Sequence, residues 1–303
     1  MKHPIVWLHH ANQQLGLVPT LGGAVAAWRC ARPDGSMVDL LRPWDGVSED
    51  MYQLASFAMV PWSNRIGEGG FTHDGVFHPI APNRAGEPYP IHGDGWLQPW
   101  RLHRPAADTV VMELASRGFG GNPYDYVATQ TFRLLPGGLD QRVEVRHAGT
   151  LPLPYGLGLH PWFVRTPRMQ VQAQVTGVWR SGADAMPTVW TSDFPAHWDL
   201  CAGIHGDGPF IDNGFTGWDG QASITWPEHA LRLNASAVEH GPDGASPGQH
   251  CLVYRPPQGP ALCWEPITHP INAFHLPHRP GLRVLQSGQA LSLAVAWRTA
   301  SHA

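Results

Sequence analysis

The chain has 303 residues, a formal net charge of −4 and only 15% charged residues, without a Lys/Arg cluster or a long apolar run. Those features exclude nucleic-acid binding through a basic stripe and a membrane-spanning helix. Thirty-four glycines and 30 prolines, set against so few charges, favour many short strands joined by tight turns over long exposed helices. Length alone suggests about two domains, but all-β sandwiches often run this long as one. No linker or composition shift divides residues 1–303, so a single domain is expected. Met1-Lys2-His3-Pro4 does not open an apolar stretch of signal-peptide kind. Cys30, Cys201, Cys251 and Cys263 lack CxxC spacing, which points to reduced, buried thiols and a cytoplasmic protein. The 14 tryptophans suit core packing first and the stacking of flat ligands second.

In chain order, residues 5–9 and 15–18 read as the arms of an opening hairpin, and residues 21–28 as a sheet strand entered through Gly22-Gly23. Residues 48–60 fit strand and helix equally. Residues 70–80 read as a hairpin turning at His73-Asp74-Gly75. Residues 127–134 and 141–147 alternate with a period of two, as half-buried strands do. Residues 169–179 (Met-Gln-Val-Gln-Ala-Gln-Val-Thr-Gly-Val-Trp) alternate most cleanly and predict one continuous strand. Residues 222–226 and 230–235 read as a hairpin turning at Pro227-Glu228-His229, and 290–297 as the last strand.

The chemistry centres on Ala261-Leu262-Cys263-Trp264-Glu265-Pro266. Four apolar residues predict a short buried strand, and Pro266 is expected to stop its ladder, leaving Glu265 at a strand end facing a cleft. Burial raises a carboxyl pKa toward neutrality, as acid–base work near pH 7 requires. For Glu265 alone, a solvent-facing strand end is the plainer reading. A second apolar, glycine-spaced run delivers His160 just before Pro161 and Trp162. Two titratable groups in matching settings can face one cleft and permit paired proton transfers. Asn64-Arg65 lies at a turn; Arg65 reads either as a surface charge or as a fork of donors for hydroxyl or carboxylate oxygens. His92, before a glycine-rich turn, reads either as a turn stabiliser or as a hydrogen-bonding or acid–base residue. No HExxH, HxH or His/Cys pair has ligand spacing, so metal ligation is not expected. The letters Ile-His-Gly-Asp-Gly recur at 204–208 with a different sequel, which reads as chance. Asp212 fits either a turn at Asp212-Asn213-Gly214 or an acceptor for sugar hydroxyls.

Taken in order, Asn64-Arg65, His92-Gly93, His160-Pro161-Trp162-Phe163, Asp212 and Glu265-Pro266 resemble the motifs of the aldose 1-epimerase (mutarotase) family, across residues 5–297. The resemblance implies a large antiparallel β-sandwich, all-β with little helix, carrying a sugar cleft on one face. It implies that Glu265 is the general base at the anomeric hydroxyl and His160 the general acid at the ring oxygen. Arg65, His92, Asp212, Asn64 and Trp162 would bind the sugar. It implies no metal and no nucleotide cofactor, a small sugar as partner, and a monomer or homodimer. Galactose mutarotases typically carry an Asn shortly before the second histidine and Ser-Tyr-Phe after it. Here the block is Gly158-Leu159-His160-Pro161-Trp162-Phe163, which resembles a bacterial branch distinct from them. Relatives acting on C6-phosphorylated or sulfonated sugars use extra basic residues; Arg84, Arg165 and Arg168 are the candidates, with surface solvation as the plainer reading. The competing classes are a non-catalytic carbohydrate-binding sandwich, which needs neither Glu265 nor His160, and a glycoside hydrolase, which needs two flanking carboxyls.

Overall fold

The computed structural model describes residues 2–32 and 34–301. Among these, the only helices are five three-residue 3₁₀ turns; the rest of the regular structure is strand. The largest sheet runs in the spatial order Ile204–His205, Gln170–Ala173, Gln221–Trp226, Leu231–Gly241, Ala290–Ser301, Gly138–His147, Asp125–Leu135, Thr109–Arg117 and Arg101–Ala106, with Gly244–Pro247 added on Leu231–Gly241. The second sheet runs Pro187–Thr191, Gly177–Ser181, Ile211–Thr216, His250–Arg255, Ala261–Ile267, Gly158–Leu159 and Ala58–Met59, with Trp162–Val164 also paired to Ala261–Ile267. A four-stranded sheet, Val6–His10 to Met37–Asp39, follows chain order. Strand pairing within these sheets is antiparallel, as the sequence predicts.

Period-two burial explains why these segments are strands. Along Asp125–Leu135, buried and half-exposed residues alternate, and Gly138–His147 repeats the pattern in register beside it. The buried rows of the two large sheets meet in one apolar cluster. Trp264 of the second sheet packs edge-on against Trp297 of the first, with ring centroids 6.2 Å apart, and Trp28 of the four-stranded sheet meets Trp297 at 6.2 Å. Six tryptophans (28, 62, 218, 226, 264 and 297) are fully buried, so core filling takes most of the indole surface. The hairpin at 70–80 turns at Asp74-Gly75, both at positive φ, the geometry that suits two-residue hairpin loops.

Two expectations are corrected and one open alternative is decided. Residues 169–179 are two strands: Gln170–Ala173 lies in the largest sheet and Gly177–Ser181 in the second. Alternation reports burial of one face and does not name the sheet: odd-numbered residues stay buried from Met169 through Gly177, across the crossing at 174–176, and the phase shifts by one residue only at Val178. The crossing shows instead at Gly177, where a Cβ would lie 2.4 Å from the Trp190 ring. Pro266 does not end its strand. Ala261–Ile267 continues through it, with Pro266 opposite Cys251. Asp212 belongs to the strand Ile211–Thr216 and not to a turn. The ambiguous 48–60 segment resolves into a 3₁₀ turn at Met51–Gln53 and the two-residue strand Ala58–Met59. All four cysteines are free, Cys30, Cys251 and Cys263 buried and Cys201 partly so. Among the described residues no helix is long and apolar enough to cross a membrane.

Candidate active site

The strand Ala261–Ile267 is buried along its whole length, because both its faces are covered. Leu262 and Trp264 point into the core between the sheets. Ala261, Cys263 and Ile267 belong to apolar clusters on the other face, and period two puts Glu265 on that second face with them. On one side the strand pairs with His250–Arg255, Glu265 opposite Leu252. On the other side, Trp162–Val164 pairs with Ala261–Cys263 and Gly158 with Ile267. The break between those two short strands is His160-Pro161, which leaves Trp264–Pro266 unpaired along that edge. A proline is tolerated there, and the break brings His160 over Glu265. His160 Nε2 lies 3.5 Å from Glu265 Oε1.

The next strands extend the row. Tyr254 sits beside Asp212 in register, and Leu252, Tyr254, Asp212, Glu265, His160 and Trp162 line one cleft with Asn64, Arg65 and His92. These last three come from two loops tied together by a bridge between Arg65 and Ile91. His92 and Gly93 both have positive φ; a Cβ on Gly93 would meet Val60 O at 1.9 Å, so this turn admits glycine alone. The turn aims His92 inward, and its Nδ1 accepts a hydrogen bond of 3.1 Å from the Asn64 amide. A neutral His92 therefore carries its proton on Nε2. Arg65 donates from Nε and Nη2 to the two oxygens of Glu87, each at 3.0 Å. Its Nη1 faces Asn64 Oδ1 at 3.4 Å and Asp212 Oδ2 at 3.6 Å.

Burial sets the electrostatics. It raises the pKa of Glu265 well above the ordinary carboxyl value, with the Asp212 charge adding to the rise and Arg65 opposing it. Burial lowers His160 to about 3 and holds His92 well below its usual value, with His160 adding to that shift. Asp212 is raised, again by burial, against the pull of Arg65. Burial opposes the charge on Arg65, but the Glu87 hydrogen bonds and the Asp212 charge overcome it and raise its pKa. Neither oxygen of Glu265, nor Nδ1 of His160, meets a hydrogen-bond partner among the described residues. Buried polar atoms are rarely left so. Their presence at a cleft wall marks a place where a bound ligand would complete the hydrogen bonding. Trp162 is stacked on the His160 ring, centroids 5.0 Å apart and planes 19° apart. The Arg42 guanidinium stands 4.7 Å from the Trp162 centroid. Trp162 thus supports His160 as much as it faces the cleft.

All seven residues singled out in the sequence — Asn64, Arg65, His92, His160, Trp162, Asp212 and Glu265 — line this cleft. Tyr52, Glu87, Ile91, Leu252 and Tyr254 also line it and were missed. The apolar run Cys251-Leu252-Val253-Tyr254 could have flagged its strand, but Glu87 sits in a loop without a motif. Arg165 is committed to the carbonyls of Gly206 and Pro256 and Arg168 to Glu228, so neither serves the cleft. Arg84 pairs with Asp50 at 2.9 Å and covers the Tyr52 ring.

The family model for aldose 1-epimerase matches residues 5–296. The uncharacterized protein YphB of Escherichia coli (strain K12) is 29% identical over 306 residues, 97% of this chain and 99% of that protein. Among solved structures, a proposed aldose 1-epimerase from Escherichia coli K12 superposes with a TM-score of 0.88 at 24% identity, covering 98% of this chain and 99% of that one. The GalM/aldose epimerase homologue from C. elegans gives a TM-score of 0.83 at 15% identity, covering 99% of this chain and 100% of that one. At these identities the superpositions speak for the fold. The family match over nearly the whole chain, on a sandwich whose cleft gathers all the motif residues, has one consequence: the chain belongs to the aldose 1-epimerase family.

Proposed function

We propose that this protein is an isomerase that interconverts the α and β anomers of a free aldose by acid–base ring opening and reclosure. The observation that carries the reading is the pairing of His160 Nε2 and Glu265 Oε1, 3.5 Å apart in a cleft that also holds Asn64, Arg65, His92 and Asp212. Glu265 takes the proton of the anomeric hydroxyl while His160 protonates the ring oxygen. The C1–O5 bond breaks, the aldehyde turns about C1–C2, and reclosure reverses both transfers. Burial disfavours both Glu265 carboxylate and His160 imidazolium, and so favours the uncharged pair, with the proton on Glu265. A sugar hydroxyl donating to Glu265 and a ring oxygen accepting from His160 favour the charge-separated form that reacts. Since either partner can hold the proton, the same pair serves opening and closing.

His92, with its proton on Nε2, donates to the ring oxygen or a neighbouring hydroxyl. Arg65, held by Glu87, presents Nη1 to the same region, and Asp212 accepts from hydroxyls. Asn64 orients His92 through its backbone amide and Arg65 through its side-chain oxygen. No metal and no nucleotide take part in these proton transfers. Residues 1–303 act as one domain, as a monomer or homodimer, and the four free cysteines support a cytoplasmic setting. The test is NMR exchange between anomers over a panel of aldoses. The enzyme should accelerate interconversion above the spontaneous rate for at least one of them. A non-catalytic carbohydrate-binding sandwich would bind sugar and accelerate none.

A further inference from the structure

The proposed chemistry uses two of three close ligand atoms and leaves the third idle. His160, Cys263 and Glu265 each offer one such atom, and the three atoms lie within 4.8 Å of one another, all on buried residues. Cys263 and Glu265 are two apart on the strand Ala261–Ile267 and share a face. Across the sheet edge, Trp162 pairs with Cys263 and its ring stacks on His160, which fixes the imidazole near both. Cys263 is not itself part of the cleft wall, but His160 and Glu265 are. An ion entering the cleft meets those two first, with the sulfur behind them.

We propose that this trio is a binding site for a soft or borderline divalent cation, Zn²⁺ or Cd²⁺, and that the ion competes with the sugar. Ligand type carries the choice of ion. Thiolate and imidazole select zinc-like ions, whereas Mg²⁺ and Ca²⁺ require sets of oxygens. Zinc bonds of about 2.0–2.3 Å in a tetrahedron put neighbouring ligand atoms roughly 3.3–3.8 Å apart. His160 Nε2 and Glu265 Oε1 already stand at 3.5 Å, and Cys263 Sγ lies within 4.8 Å of its two partner atoms, so the sulfur has about an ångström to close at most. The two Glu265 oxygens meet no donor among the described residues, so coordination breaks no hydrogen bond there. Binding forms metal–sulfur, metal–nitrogen and metal–oxygen bonds. The Cys263 thiol proton and the Glu265 carboxyl proton pass to solvent, and nothing is oxidised or reduced. Two anionic ligands and one neutral ligand then balance the double charge of the ion at a buried site. The fourth position faces the cleft. The bound ion occupies the lone pairs that the acid–base pair needs, so the site acts as an inhibitory one.

Sequence spacing hides the trio, because His160 comes from a different chain segment from the other two and Cys-x-Glu is no metal motif. The test is a direct titration of chelator-stripped protein with Cd²⁺, then with Zn²⁺. The readouts are calorimetric stoichiometry and the ultraviolet absorption of a cadmium–thiolate bond. One ion per chain with a thiolate band is expected, and an aldose substrate should weaken the apparent affinity. Cys263→Ser should abolish the band and lower affinity about tenfold or more, while anomer interconversion stays near wild type. Cys263→Ala provides the same readout if the serine variant misfolds, and Cys201→Ser, altering the partly exposed cysteine, should keep the band. A band that survives loss of Cys263, or its absence from saturated wild type, overturns the proposal. Either result leaves the epimerase reading intact, because that reading needs only His160 and Glu265. Loss of the epimerase reading would still leave the stoichiometry and the thiolate band as the test of this site.

Discussion

His160 Nε2 and Glu265 Oε1 face each other at 3.5 Å, beyond a good hydrogen bond and well placed to flank a sugar's O1 and O5. The pair therefore tests as a unit. Glu265→Gln keeps size and hydrogen-bonding reach but removes basicity, and kcat should fall about 10²–10⁴-fold with a much smaller change in sugar affinity. His160→Gln should do likewise. If both act in one step, the double variant should lose far less than the product of the single losses. The rates are read by NMR exchange above the spontaneous background. Wild-type rates in Glu265→Gln would remove Glu265 from the chemistry.

Glu87 holds Arg65 through two hydrogen bonds of 3.0 Å, with both side chains largely buried. Bidentate geometry fixes a guanidinium plane as well as its charge. Glu87→Ala should free Arg65 to turn toward Asp212 and lower kcat/KM about tenfold or more, since hydrogen bonds to charged groups contribute about 1.5–3 kcal/mol. Glu87→Gln should retain part of this activity. Equal kcat/KM in Glu87→Ala and wild type would show that Arg65 needs no clamp.

Charge should select the substrate. The cleft wall holds one guanidinium, Arg65, already paired with the carboxyls of Glu87 and Asp212, while Arg84 is paired with Asp50. Like charges placed together in a binding site are costly, so an aldose 6-phosphate should show kcat/KM about tenfold or more below its neutral parent. Arg165→Ala and Arg168→Ala should leave that ratio unchanged. A preference for the phosphate would show that a basic group reaches the cleft by a movement absent from this structure.

The turn that delivers His92 should tolerate no side chain at Gly93. A Cβ there meets Val60 O at 1.9 Å in a left-handed conformation. Gly93→Ala should lower stability by about 2–4 kcal/mol in urea melts, and the folded fraction should lose activity as His92 shifts. An unfolding midpoint within error of wild type would mean that the turn relaxes freely.

Buried titratable groups away from the cleft predict opposite pH slopes. Burial lowers His250 and His269 to about 4, so between pH 6.5 and 4 the folded state binds fewer protons than the unfolded. That stability is present above pH 6.5 and lost on acidification, about 2 kcal/mol per histidine by pH 5. Glu239 goes the other way. Burial raises it to about 7, partly offset by Arg283, so it subtracts stability as pH rises from 4.5 to 7. Glu239→Gln should therefore raise the melting temperature at pH 8 and lose that advantage at pH 5. A gain of equal size at both pH values would point to packing and not to charge.

The sequence by itself determined the strands and the chemistry-bearing residues. Period-two burial is a local consequence of backbone pleating, so Asp125–Leu135, Gly138–His147 and Ala290–Ser301 announce themselves without a partner. His92, His160, Arg65, Asp212 and Glu265 stand out only together, because each alone has a plain reading and it is their order that resembles the family's motifs. Tertiary structure decided everything that depends on which strand lies beside which. The split of 169–179 between two sheets shows in the alternation only as a one-residue phase shift at Gly177-Val178, since both sheets bury a face on the same core. Pro266 stays in its strand because the break at His160-Pro161 leaves the neighbouring edge empty there, a fact fixed more than a hundred residues away. Glu87 became visible only through Arg65, and Cys263 only through its distance to His160. Hydrogen bonds and ligand distances belong to pairs, and a single chain read in order carries each residue's own properties but not its neighbours in space.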